Sequence, residues 1–329
     1  MATRSSGRRV PGRSHAGRSD LAAAPIAAIL GPTASGKSEL AMAIATRLPI
    51  EILVADSRQL FRGLSIGTAK PSAADRRAVP HHLLDLADPD EPFTVADWLA
   101  QARPLVDEIA GRGRIPLVVG GTGLYVSALV DGYDFASQPW SPEIRERLAA
   151  EVETEGLATL AERLARIDPK AAERTDLRNP RRVLRALERA ESAGGTQLPR
   201  STPYPGRLAL IGISRPRPEL SRRIHLRTAS LFDAGLLTEV QALLAAGYSS
   251  DSAALRSHGY AEAVRHLAGT LTLDEAVAST ARRTRQYAKR QLTWFRRDPR
   301  IIWVAAGERP ASDPQIVDQA RELLVRLIA

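Results

Sequence analysis

The chain has 329 residues, 44% of them apolar, with Lys+Arg 46 against Asp+Glu 37 and a formal charge of +9. That is ample apolar material for a packed core, and the basic balance favours a polyanionic partner, RNA or DNA first. The absence of Cys excludes disulfides, thiol catalysis and Cys-ligated zinc. A reducing compartment, the cytoplasm, is expected, and no apolar run approaches the ~20 residues of a membrane span.

The length suggests about two domains. Residues 1–24 carry five Arg, several Ser and Gly, and Asp20 as their acid, a composition that cannot build a packed core. A disordered basic arm is expected there, with a nucleic-acid-binding arm and an organelle transit peptide as the other readings. Residues 25–30 then read as a short buried strand and 37–48 as a helix. Between them stands Gly31-Pro32-Thr33-Ala34-Ser35-Gly36-Lys37-Ser38, a G-x-x-x-x-G-K-[ST] phosphate loop in the strand–loop–helix setting that gives the motif its meaning. It calls for a diphosphate, of a nucleotide or of another ester.

Two further apolar runs, EILVAD ending at Asp56 and RIPLVVGGTG ending at Gly123, read as buried parallel strands. Their carboxyl ends should line one crevice. After Leu129 the chain turns charged and helical, then returns to a strand pattern at 207–213 and again at 301–304. The expected fold class is therefore α/β: a core in two parts, 25–130 and 206–329 with C-terminal helices, interrupted by a helical insertion at 131–205.

Inside the insertion, Asn179 is placed to cap a helix that starts at Pro180. Helical spacing puts Arg182, Arg185 and Arg189 on one face with Arg181 at its margin, and Val183, Leu184 and Leu187 opposite. The basic face is either an RNA-contacting surface or a solvated arginine face. A second basic segment, 281–300, sets Tyr287, Trp294 and Phe295 among Arg residues. It is read as partly packed and partly phosphate-facing. His81, His82 and His225 lack a second-ligand spacing, so structural or surface roles are expected for them. Only four residues are Lys (Lys37, Lys70, Lys170 and Lys289), which makes Lys37 and Lys70 conspicuous in an Arg-dominated chain.

Taken in order, GPTASGKS, ADSRQLFRGLSIGTAKP, VVGGTGLY, NPRRVLRALE and RQYAKRQLTWFR resemble the bacterial tRNA dimethylallyltransferases, also called tRNA isopentenyltransferases, over roughly residues 24–304. The resemblance implies a P-loop NTPase-like parallel sheet with an inserted helical domain. It implies transfer of a dimethylallyl group from dimethylallyl diphosphate to N6 of the adenosine 3′ of the anticodon, with Mg²⁺ as cofactor and a monomer as the working form. On this resemblance Gly31 to Ser38 hold the diphosphate, with Ser38 on the metal, and Arg223 and Arg227 clamp it. Asp56 is the base, although its strand-end position also resembles the metal-linked acid of nucleotide hydrolases. Thr122 orients the adenosine, and Ser57, Arg58 and Gln59 form the adenosine-side strip. The tRNA-contact positions implied are Arg145, Arg181, Arg182, Val183, Leu184, Arg185, Arg256, Ser257, His258, Gly259, Tyr260 and Ala261. At Ala261 the side chain is too short to promise a contact. The rival readings are a phosphate-loop kinase of a nucleoside or small metabolite, a non-catalytic RNA-binding protein, and an enzyme that prenylates free adenylate.

Overall fold

The computed structural model describes residues 23–134, 141–192 and 201–329; the expected basic arm lies almost wholly outside them. In chain order the elements are β1 Ile26–Leu30, α1 Lys37–Ala45, β2 Ile50–Ala55, α2 Ala73–Ala78, β3 His81–His82, α3 Val95–Gly111, β4 Ile115–Gly120 and α4 Gly123–Val130. There follow α5 Pro142–Glu155, α6 Leu157–Ile167, α7 Pro169–Arg174 and α8 Pro180–Glu191. The chain ends with β5 Leu208–Ser214, α9 Arg217–Asp233, α10 Leu236–Ala245, α11 Tyr260–Leu267, α12 Leu273–Phe295, β6 Ile302–Ala305 and α13 Pro314–Ile328.

The six strands form one sheet in the order β3-β2-β4-β1-β5-β6, every pairing parallel. Continuous apolar runs such as IAAIL and IEILVA suit strands covered on both faces. In β1, Ile26, Ala28 and Leu30 join the core under α3, α4 and α12. Ala27 and Ile29 join the core under α1 and α13, as the two-residue period of a strand requires. Because the sheet is parallel, the segments after β1, β2, β4 and β5 all emerge at one edge. The crevice of an open α/β sheet lies there, where the strand order reverses.

Helices α5 to α8 carry a separate core of Leu148, Leu160, Leu164, Val183 and Leu187. Asn179 caps α8 by accepting from Arg182 N, with Pro180 in the first turn. The root of the segment is held by a bridge between Tyr133 and Ser201 and by Thr202 N donating to Gly132 O at 3.1 Å. Two details depart from the sequence reading. Helix α1 stops at Ala45, short of Leu48, because Pro49 pushes the residue before it out of helical geometry. The edge strand β3, only two residues long, has no pattern by which to be recognised.

Candidate active site

The phosphate loop follows β1 directly, and its shape depends on Gly36. That residue has φ 101°, and a Cβ there would lie 2.5 Å from the Ala311 Cβ, so no side chain fits. Gly36 caps α1, whose first-turn N–H groups lack acceptors inside the helix and point their partial positive charge at the loop. The loop is braced from outside. Thr33 N donates to Gln291 Oε1 at 2.8 Å, and Arg223 Nε donates to Ala34 O at 3.1 Å. Arg215, almost fully buried, donates to Ser35 O at 2.7 Å and to the carbonyls of Gly307 and Arg309.

Lys37 donates to Pro32 O at 2.8 Å and pairs with no carboxylate among the described residues. Its desolvated ammonium is pushed down to about 8, against the pull of Asp56 and with the help of Arg227. Arg227 is likewise lowered by burial, with Asp56 opposing. Lys37, Ser38, Asp56, Gln59 and Arg227 line one cavity. Arg222, Arg223 and Leu226 join Lys37 and Ser38 around its outer mouth.

Asp56 follows β2. One carboxylate oxygen accepts from Arg58 N at 2.9 Å; the other accepts no hydrogen bond from the described residues. Ser57 N donates to Thr122 Oγ1 at 2.9 Å, and Thr122 N to Ala55 O at 3.1 Å, so the ends of β2 and β4 hold Thr122 beside Asp56. A second cavity, lined by Asp56, Arg58, Arg227, His258, Tyr260 and Tyr287 among others, opens on this side. The Tyr287 phenol is pushed up by burial and by the Asp56 charge, against hydrogen bonding with Thr122 and Gln291. His258 lies 5.0 Å from the Tyr287 ring, centroid to centroid. Burial, with Arg58 and Arg283 nearby, drives its imidazole down to about 4.

The structure thus brings together Gly31 to Ser38, Asp56 to Gln59, Thr122, Arg223, Arg227 and the cavity-lining residues Ser257, His258 and Tyr260. Gly259, buried, lies within that stretch, and Arg256 and Ala261 flank it. Arg145 and Arg181 to Arg185 belong to the separate helical segment. Val183 is fully buried in that segment's core, so its side chain offers no surface to an RNA. Leu184 packs against the same core. Arg145 and Arg185 both pair with buried Glu188, at 3.2 and 2.9 Å. Arg181 and Arg182 are exposed and pair with no carboxylate among the described residues. The histidines behave as expected: His82 bonds Glu51 at 2.7 Å, His81 bonds Val79 O, and His225 is exposed.

Sequence reasoning missed four supports. Gln291 bridges Thr33 N and Gly121 O; its signal was an uncharged polar residue at a core-facing position of an Arg-rich helix. Arg215 braces the loop. Glu239 accepts from the N–H groups of Ser65, Ile66 and Gly67 and from the Tyr260 hydroxyl, fixing the wall behind Gln59. Lys70, buried, donates to Phe61 O at 2.7 Å and Asp85 at 2.6 Å, stapling that wall to the chain just after β3; its rarity had marked it without assigning it this part.

A parallel sheet with a phosphate loop after its central strand, and a carboxylate and a hydroxyl at the ends of two neighbouring strands, defines a P-loop NTPase-like transferase core. Residues 59–298 match the model of IPP transferase and residues 24–85 that of isopentenyl transferase. The chain belongs to the IPP transferase family. It is 45% identical over 308 residues to the tRNA dimethylallyltransferase of Thermobifida fusca, covering 91% of this chain and 94% of the relative. To the enzyme of that name from Moorella thermoacetica it is 45% identical over 289 residues, covering 85% and 89%. The crystal structure of a full-length tRNA isopentenylpyrophosphate transferase from Bacillus halodurans superimposes with a TM-score of 0.70 at 37% identity, covering 93% of this chain and 97% of that one. Among the described residues, no helix is long and apolar enough to cross a membrane.

Proposed function

We propose that this chain transfers a dimethylallyl group from dimethylallyl diphosphate to N6 of the adenosine 3′ of the anticodon in tRNA, releasing diphosphate. The observation that carries the reading is that Asp56 and Arg227 line both cavities, the one holding Lys37 and Ser38 and the one holding Tyr260 and Tyr287. A diphosphate in the first and an adenosine in the second meet at Asp56. A tRNA substrate sets this work in the cytoplasm, and nothing in the chemistry asks for a second copy of the chain.

Cleaving the allylic C–O bond loads negative charge onto the leaving diphosphate. Lys37, Arg227 and the first-turn amides of α1 are placed to receive it, and preorganised donors of this kind need no rearrangement as charge develops. Arg223, at the outer mouth, adds a second planar cation suited to phosphate oxygens. The exocyclic amine is a weak nucleophile whose proton becomes acidic only as its bond to carbon forms. The free oxygen of Asp56 then takes that proton, while Thr122, fixed by Ser57 N, orients the base. The target nucleotide must leave the loop stack to reach this depth.

The residues fit a hard divalent cation. Ser38 and Asp56 line one cavity as oxygen donors, and no three His, Asp or Glu side chains converge among the described residues to cage an ion alone. Mg²⁺ is commonly held by few protein oxygens plus substrate phosphates. Bound by Ser38, with Asp56 nearby, it would supply charge neutralisation to the diphosphate.

The test is to incubate the protein with labelled dimethylallyl diphosphate and, separately, unmodified tRNA, AMP and ATP. Label in tRNA alone is expected. Label in AMP supports the free-adenylate enzyme, and phosphate transfer from ATP to a small acceptor supports the kinase.

A further inference from the structure

The end of α12 carries a feature that the proposed chemistry does not use. Trp294 is 40% exposed, unusual for an indole in a well-packed helix, yet it is not loose. Its Nε1 donates to Ser127 Oγ at 3.3 Å, and it lies so close over Gly123 that a Cβ there would sit 2.2 Å from the indole. Only glycine at that position lets the ring lie down on the first turn of α4. One edge of the indole is thus fixed while much of its surface meets solvent.

Its neighbours along α12 give this exposure a direction. Tyr287, Arg290 and Trp294 recur at intervals of three or four, so they form one stripe of the helix, and Arg297 follows in the turn just after its end. The stripe begins inside the acceptor cavity at Tyr287, with the Arg290 guanidinium 5.8 Å over that ring. It then runs out past Trp294 to a groove lined by Ser127, Asp131, Trp294, Arg297 and Arg300. At its far end Arg300 pairs with Asp131 at 2.7 Å, at the root of the helical segment. Arg290 and Arg297 are exposed and pair with no carboxylate among the described residues. Seven helical steps separate Tyr287 from Trp294, a rise of about 10 Å, one to two nucleotide steps along a single strand. An RNA that reaches from the acceptor cavity to the helical segment passes over this groove.

Resting on the tRNA reading above, we propose that Trp294 is a stacking platform for the unpaired nucleotide next to the target adenosine, with Arg290 and Arg297 taking the flanking phosphates. Every base has a face to offer an aromatic ring, and single-stranded RNA is commonly held by such stacking alternating with cationic contacts. When the target adenosine is drawn into the cavity its neighbour loses a stacking partner, and the indole replaces it.

The experiment uses the full-length protein and an anticodon stem-loop RNA, intact or with an abasic nucleotide on the 5′ or the 3′ side of the target adenosine. Trp294→Ala should weaken binding of the intact stem-loop by about five- to a hundredfold, the range for loss of one stacked base, with affinity for dimethylallyl diphosphate unchanged. Trp294→Phe, which keeps an aromatic face, should recover most of the loss. One abasic stem-loop should bind the wild-type protein about as weakly as the intact RNA binds Trp294→Ala, and combining the two changes should add little. If Trp294→Ala weakens all three RNAs by the same factor, the indole merely packs over Gly123 and the platform is overturned. An unchanged affinity overturns it as well. A wild-type protein that modifies no stem-loop or tRNA would instead remove the functional reading on which the platform rests.

Discussion

The strand-end crevice and the helical segment are both rich in basic residues, and they use them in opposite ways. In the crevice Lys37 and Arg227 are desolvated and pair with no carboxylate among the described residues; their nearest negative group is Asp56, felt at a distance. In the helical segment four arginines packed around α8 are tied to acids: Arg145 and Arg185 to Glu188, Arg147 and Arg163 to Glu151 and Glu191. Unpaired, dehydrated cations are costly to keep, and they are worth keeping only where a strong anion arrives or negative charge develops. Paired, solvated cations contribute little stability and suit a surface that grips a polyanion by many weak contacts. On the function proposed above, the crevice would serve the reaction and the segment affinity for tRNA.

The hardest way to break this contrast is at the group where the two cavities meet. Asp56→Asn keeps the shape of the site and removes the proton acceptor, so the chemical step should slow by about 10²–10⁴, with tRNA and dimethylallyl diphosphate affinities near wild type. Single-turnover rates across a Mg²⁺ series separate this from a metal-organising part, because saturating metal cannot replace a missing base. Full rescue by metal would leave the amine proton to water or to a diphosphate oxygen. Lys37→Ala, which removes one donor to the leaving group, should cost about 10²–10³ in turnover without unfolding the protein; a folded, fully active variant would sink the phosphate-loop assignment.

The same lysine sharpens the contrast through pH. Its folded value is lowered from 10.5 to about 8, so between those two values the unfolded chain binds more protons at this site than the folded one. Its contribution to folding stability therefore rises with pH across that window, and below pH 8 the buried charge is a cost. Diphosphate binding should show the reverse trend. The ligand favours the ammonium, so affinity for inorganic diphosphate should fall as pH rises through about 8, with proton uptake on binding. Calorimetry in two buffers of different ionisation enthalpy measures that uptake. Lys37→Arg, which cannot deprotonate, should abolish it. An uptake that persists in Lys37→Arg would assign the proton to another group.

How much of this was legible beforehand follows the range of the interactions involved. The buried strands and the phosphate loop were readable because their signals are local: continuous apolar runs, and a glycine-bounded loop between strand and helix. The approach of Asp56 to Thr122 was readable because both end strands of one parallel sheet. Arg215, Gln291 and Glu239 were not, since each acts on backbone far away in sequence, Gln291 on Thr33 and Gly121, Glu239 on the 65–67 loop. Nothing in the residues near them announces that. In α8 the periodicity correctly put Val183 and Leu187 inward, but it could not show that buried Glu188 would draw in Arg185 and, from another helix, Arg145. What read as one arginine face is split into paired and unpaired members.

That split gives the smallest and most discriminating effect. Arg181 and Arg182 are exposed at the start of α8 and have no acidic partner among the described residues. Removing both should weaken tRNA binding several-fold and reduce the slope of log affinity against log salt by about 0.7–0.9 for each phosphate no longer neutralised, with thermal stability unchanged. Arg145→Ala with Arg185→Ala should act differently. Glu188 is nearly inaccessible, and stripping its cations leaves a buried carboxylate unsatisfied, which destabilises far more than the loss of a surface pair. The melting temperature should therefore fall, with a smaller change in salt slope, and replacing Glu188 by Gln in the same background should restore part of the stability. If instead the Arg145 and Arg185 pair flattens the salt dependence while the Arg181 and Arg182 pair does not, the paired arginines release Glu188 to take up phosphate. The helical segment would then be a switchable surface, its cations exchanged from carboxylate to RNA on binding.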